Sequence, residues 1–287
     1  MDTTAGPRPV RRGAYLLPSL FTVANVFCGY FALMEALKAS ASTASPAPHL
    51  DAAAKAIGYA VLFDGFDGRI ARMTGTSSAF GREFDSLADV ITFGVAPAVL
   101  AFAWGVRWID PQIPPMGALM IEHIHRAGWA LCFLYIICGA ARLARFNIQT
   151  DPVPANPGRP GRKYFVGLPI PAGAGLVAAV VHVGSGQPLV WWPLSLFWLA
   201  LLLATSLLMV SRWRYYSFKD IDLRRRRRFF TVIVIAALVA AIWYYSEPVL
   251  LAIALIYVGS GILARVGGIL RRRLRPLPPP GDLAAGA

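Results

Sequence analysis

Eight stretches of this chain are too long and too apolar to be ordinary loops or surface helices: roughly 14–36, 51–70, 86–105, 127–146, 168–183, 190–211, 229–246 and 248–264. A hydrocarbon core of about 30 Å is crossed by about 20 apolar residues of helix. Backbone polar groups in lipid must be satisfied internally, which a helix does by itself. With 56% of its 287 residues hydrophobic and only 15% charged, the chain is too apolar for an ordinary soluble domain. The predicted fold class is therefore all-α, a polytopic transmembrane helical bundle of about eight spans. The fifth stretch is short and opens on "GLPIPAGAG", which predicts a broken or tilted helix, and "SEP" at 246–248 predicts a tight turn between the last two spans.

The net charge of +13 raises nucleic acid as a partner, but its distribution argues for a membrane. With the N-terminus in the cytoplasm, cytoplasmic segments carry 24 of the 28 lysines and arginines, leaving Lys38, Lys55, Arg107 and Arg126 on the other side. That asymmetry is what the positive-inside rule predicts, and it turns the cations toward anionic lipid headgroups. No nucleic-acid partner is expected; membrane lipids are. The run Arg224–Arg228 reads as a topology determinant beside span seven rather than an acidic-lipid site. The N-terminal apolar stretch is long for a signal peptide and contains Asn25, so it reads as a retained span. Cys28, Cys132 and Cys138 lie in apolar runs without metal-ligand spacing and read as small buried residues. "HIH" at 123–125 lacks a third ligand for zinc. The tail "RPLPPPGDLAAGA" is Pro-rich.

Against this apolar background, "DGFDGRIARMTGTSSAFGREFDSLAD" (64–89) holds four aspartates, three arginines and a glutamate. Asp64 and Asp67, at i and i+3, share a helix face at the end of span two. Asp85 and Asp89, at i and i+4, share one at the start of span three. A short loop makes the two helices antiparallel neighbours, so all four carboxylates can converge at one depth. Ionised aspartates in a bilayer are costly, and convergence adds repulsion. A divalent cation relieves both, and an all-oxygen donor set suits Mg²⁺, Mn²⁺ or Ca²⁺ rather than zinc. Four carboxylates suffice to bridge two ions, the arrangement that stabilises attacking and leaving oxygens in displacement at phosphorus. Gly68, Ala71, Gly75 and Gly81 let a bulky polar ligand approach, and Arg72 can neutralise a phosphate. The bland alternative is a salt-bridged surface loop with glycines for helix packing.

The spacing D-x2-D-G-x2-A-R-x8-G-x3-D-x3-D, met by Asp64, Asp67, Gly68, Ala71, Arg72, Gly81, Asp85 and Asp89, resembles the signature of the CDP-alcohol phosphatidyltransferase family. The resemblance implies a helical membrane enzyme, usually a homodimer, that transfers a substituted phosphate from a CDP-linked donor to an alcohol and releases CMP. It implies metal binding by Asp64, Asp67 and Asp85, with Asp89 as general base and further metal contact. Asp64, Gly68, Ala71, Arg72, Gly81 and Asp85 would line the CDP site. Mg²⁺ or Mn²⁺, two per active site, is the implied cofactor.

Four further blocks, at 16–33, 141–148, 164–175 and 208–222, resemble the membrane-integral, serine-using branch of that family in bacteria and archaea. They imply CDP-diacylglycerol and L-serine as substrates. Ser19 departs from the branch, where many members have Asn, and puts in doubt any contact made by that side chain. Arg142, Arg145 and Lys219 are candidates to bind the serine carboxylate; topology or interfacial snorkelling is the alternative for each. Sister transferases using glycerol-3-phosphate, inositol-phosphate or choline remain open, as do a cation transporter and a basic membrane scaffold. The expected organisation is a cytoplasmic N-terminal segment (1–13), a catalytic transmembrane domain (14–211), a basic cytoplasmic loop (212–228), a transmembrane hairpin (229–270) and a basic, Pro-rich tail (271–287). The expected location is the cell (inner) membrane, with both termini and the active site cytoplasmic.

Overall fold

A computed structural model describes residues 16–74, 79–112, 118–149, 164–216 and 228–273. A helix occupies most of the described part of each of the eight apolar stretches. They are α1 (Leu16–Ala41), α2 (Ala47–Thr74), the continuous path of α3 (Ala79–Asp89), a π-helical segment (Val90–Val95) and α4 (Ala96–Gly105), then α5 (Ala118–Gln149), α6 (Ile170–Val183), α7 (Trp192–Val210), α8 (Arg228–Tyr244) and α9 (Ser246–Arg273). Most of these helices run beyond the apolar windows, because the helical backbone continues into polar ends. Among the described residues, five helices are long and apolar enough to cross a membrane, within Leu20–Ala41, Phe80–Gly105, Leu119–Ile148, Trp192–Val210 and Ser246–Leu263. Of the rest, α2 carries charges toward both ends, and α6 and α8 have 14 and 17 residues.

The all-α expectation holds but for one small ribbon. Strands β1 (Tyr164–Val166) and β2 (Arg214–Tyr216) pair antiparallel, with Phe165 opposite Tyr215. Gly167 follows β1 at φ 79°, a conformation open to glycine and costly for other residues. Its N–H donates to Trp213 O at 2.8 Å, and the Leu168 N–H donates to Leu208 O at 3.0 Å. The ribbon thereby ties the entry of α6 to the exit of α7. The "SEP" turn is corrected: Ser246–Pro248 form the first turn of α9, and the link is Tyr245 alone. Proline fits there because a first-turn N–H has no intrahelical partner to lose.

Small residues let the backbones come close. Ala32, Ala36 and Ala39 of α1 and Ala53, Ala54 and Ala60 of α2 are buried in one core. In lipid, where apolar burial alone drives little association, such close packing is the main cohesive term. The three cysteines are free, with Cys132 and Cys138 buried. His125 Nε2 donates to Val106 O at 3.0 Å, so this ring of "HIH" is engaged with backbone.

At the end of the bundle where α2 begins, His182 of α6 joins two other helices. Its Nδ1 meets Asp51 Oδ1 of α2 at 2.6 Å, and its Nε2 meets Ser246 Oγ of α9 at 2.9 Å. Lys55 Nζ closes on the second Asp51 oxygen at 2.7 Å. The aspartate motif lies at the other end.

Candidate active site

Asp64 lies near the end of α2, and Asp85 and Asp89 lie one turn apart on α3. One carboxylate oxygen from each falls within 4.8 Å of the other two. Three of the four expected ligands are thus brought together from α2 and α3. Asp67 is one turn beyond Asp64. Its side chain lies outside the described residues, as do those of Ser19, Gly68, Ala71 and Arg72. Gly75 and Lys219 also lie outside them. Gly81 is exposed in the first turn of α3. At that separation, and an effective dielectric near 20, each pair of ionised carboxylates repels by roughly 3 kcal/mol.

Asp89 is the buried member, 7% exposed, while Asp64 and Asp85 are half-buried. Three features fix it. Asn25 of α1, itself 1% exposed, donates from Nδ2 to Asp89 Oδ1 at 3.3 Å. Thr92 Oγ1 donates to Asn25 O at 3.2 Å, locking α1 to the helix path just past Asp89. The π-helical segment begins at the next residue, Val90. Such segments disturb the i→i−4 ladder and recur at functional sites. Tyr135 of α5 donates its phenol proton to Phe93 O at 3.2 Å, inside that segment.

On α5, Arg142 is 6% exposed and interacts electrostatically with Asp89 and with Tyr257 of α9. Its Nε is buried without a hydrogen-bond partner among the described residues. Asn147 Nδ2 donates to Ser86 Oγ at 2.9 Å, holding the end of α5 against α3 between the two aspartates. The site therefore joins a carboxylate cluster, a held buried carboxylate and a buried guanidinium.

The model of the family described as CDP-alcohol phosphatidyltransferase matches residues 15–204. The chain belongs to this family. A CDP-diacylglycerol–serine O-phosphatidyltransferase of Helicobacter pylori is 37% identical over 210 residues, 72% of this chain and 74% of that protein. A protein of the same name from Saccharomyces cerevisiae is 36% identical, over 56% of this chain and 51% of its own length. The archaetidylserine synthase of Methanothermobacter thermautotrophicus is 33% identical, over 69% of each chain.

CDP-alcohol phosphatidyltransferases are divalent-cation dependent, and the residues present fit such an ion. The three gathered donors are hard carboxylate oxygens, and their mutual repulsion is offset by positive charge between them. The family match runs from the start of α1 into α7, so it contains every helix of the cluster and stops short of α8 and α9.

The two described arginine candidates are placed differently. Arg142 is buried on α5 and interacts electrostatically with Asp89. Arg145 Nη1 donates to Val210 O at 3.3 Å and Nη2 to Val166 O at 3.4 Å, so its guanidinium braces the ribbon. The motif gives no sign of Asn25 or Thr92, which lie 64 and 67 positions from their partners. The available signal was a buried amide in an apolar span, which is costly unless it has a task.

Proposed function

We infer that this membrane-integral transferase moves the phosphatidyl group of CDP-diacylglycerol to the hydroxyl of L-serine, giving phosphatidylserine and CMP. The observation that carries the reading is the convergence of Asp64, Asp85 and Asp89 in a chain whose relatives in bacteria and yeast bear that activity in their names. The archaeal relative is also named for a serine lipid, which favours serine over the acceptors of sister enzymes.

Asp64, Asp67 and Asp85, with Asp89 in contact, would hold the divalent cations, Mg²⁺ or Mn²⁺ and two per site. Bound there, the ions would neutralise phosphate charge and stabilise the leaving CMP. Asp64, Gly68, Ala71, Arg72, Gly81 and Asp85 line the CDP part. Asp89 accepts the serine hydroxyl proton, and Asn25 keeps its carboxylate aimed. The serine oxygen forms a bond to the phosphorus bearing diacylglycerol, and the phosphorus–oxygen bond to CMP breaks. Burial of Asp89 limits competing water. Arg142, whose buried Nε has no hydrogen-bond partner among the described residues, takes the serine carboxylate. Arg145 ranks behind it because its Nη groups serve the backbone, and Lys219 is the third candidate.

We further propose that all eight helical stretches cross the inner membrane with both termini and the active site cytoplasmic, and that the enzyme is a homodimer. The division is 1–13 before the catalytic domain 14–211, then the basic loop 212–228, the hairpin 229–270 and the tail 271–287. The deciding experiment supplies purified protein with CDP-diacylglycerol and competing alcohols. Phosphatidylserine as the main product supports the reading; a lipid product from glycerol-3-phosphate or inositol-phosphate in its place contradicts it.

A further inference from the structure

Asn25 has a second polar atom that the catalytic account leaves unused. A carboxylate only accepts hydrogen bonds, so the 3.3 Å contact with Asp89 Oδ1 assigns Nδ2 to that side of the amide. Oδ1 then points elsewhere. It is buried and has no hydrogen-bond partner among the described residues. An acceptor left so is costly, a cost that persists in a folded protein where a ligand relieves it. The atom is also held in place before any ligand arrives. Thr92 Oγ1 grips the Asn25 carbonyl at 3.2 Å, and Gly29, one turn on, lies directly against Thr92.

We propose that Asn25 Oδ1 is the acceptor for the α-ammonium of L-serine, making Asn25 a specificity-determining residue for the acceptor amino acid. The inference rests on the serine reading above. With the serine hydroxyl at Asp89, the ammonium sits on the neighbouring carbon, so its partner must stand beside the Asp89 carboxylate. Asn25 is the residue bonded there. Arg142, electrostatically coupled to Asp89 from α5, takes the carboxylate, which gives three contacts to three different groups. The partner's neutrality matters. A further carboxylate would bind the ammonium but add negative charge to the Asp64–Asp85–Asp89 cluster. An alcohol without an ammonium leaves Oδ1 unpaired, and sites built around a buried hydrogen bond reject ligands that cannot make it.

The test compares L-serine with 3-hydroxypropanoate, which is serine without its ammonium. The readout is the Ki of 3-hydroxypropanoate as a competitive inhibitor divided by the KM for L-serine. Effects on Asp89 or on CDP-diacylglycerol largely cancel in this ratio. In Asn25→Ala the ratio falls about 10-fold or more, as for loss of a hydrogen bond to a charged group. Asn25→Asp keeps an acceptor oxygen and loses the N–H to Asp89, so the ratio is kept or raised while kcat falls; this variant serves where Asn25→Ala does not fold. An unchanged ratio in Asn25→Ala, or a collapsed one in Asn25→Asp, overturns the proposal. An unchanged ratio with a shifted Mn²⁺ activation constant overturns it in favour of a metal contact for Oδ1. Absence of serine-dependent CMP release in the unmodified protein would instead overturn the acceptor reading itself.

Discussion

Gly29 of α1 packs so closely on Thr92 that a Cβ added to Gly29 would lie 2.6 Å from the Thr92 hydroxyl oxygen and 2.8 Å from its Cα. This approach sets the distance between α1 and the π-helical segment, and with it the Asn25–Asp89 contact. The buried Asp89 carboxylate is thus positioned by helix packing one turn away from its Asn25 partner.

Gly29→Ala is expected to push α1 off the segment. Overpacking of this kind costs typically 1–3 kcal/mol. Turnover should fall at least ~10-fold as Asp89 loses its donor, with the protein still extracted as a folded species in detergent. A thermal melt beside a CMP-release assay checks both.

Arg142 and Arg145 should separate kinetically. Arg142→Ala removes the buried guanidinium that interacts electrostatically with Asp89 and should raise the serine KM at least ~10-fold, with little change in the KM for CDP-diacylglycerol. Arg145→Ala releases two backbone carbonyls and should lower the melting temperature with a smaller effect on serine KM. Steady-state kinetics and melts on both variants distinguish recognition from bracing.

His182→Ala severs the link of α6 to Asp51 and Ser246 at the end of the bundle away from the Asp64–Asp85–Asp89 cluster. Losing two buried contacts should cost about 1–3 kcal/mol in stability. The serine KM should stay within about twofold, since packing effects confined to a distant site add independently. Unfolding in detergent followed by tryptophan fluorescence, with kinetics on the same preparation, measures both.

The apolar runs and the aspartate spacing were legible because each depends on local periodicity: about 20 residues per span, and carboxylates one helical turn apart. Hence the helical stretches and the Asp64–Asp85–Asp89 meeting were legible, although the fifth stretch, which reads as broken or tilted, forms one unbroken helix, Ile170–Val183. The tasks of Asn25, Thr92 and Tyr135 were not, because each makes its contact at long range, 64, 67 and 42 positions away. The π-helical segment reads as ordinary apolar helix in "VITFGV". The β1–β2 ribbon escaped because its three-residue strands are too short for alternation to register. "SEP" misled because Ser and Pro serve a helix start as well as a turn.

Removing the divalent cation should act at the same place as removing a ligand. Chelation of the purified protein should abolish turnover, and added Mg²⁺ or Mn²⁺ should restore it. Asp64→Asn should be inactive under all these conditions while melting near the unmodified temperature without metal, because losing one charge from the cluster relieves repulsion.

The most direct measurement is CMP release from CDP-diacylglycerol with and without L-serine, in Mg²⁺ or Mn²⁺, for the unmodified protein and for Asp85→Asn. The account predicts serine-dependent, metal-dependent release with phosphatidylserine as product, and background release for a folded Asp85→Asn. Release that is independent of serine, or a folded Asp85→Asn with full turnover, would contradict it.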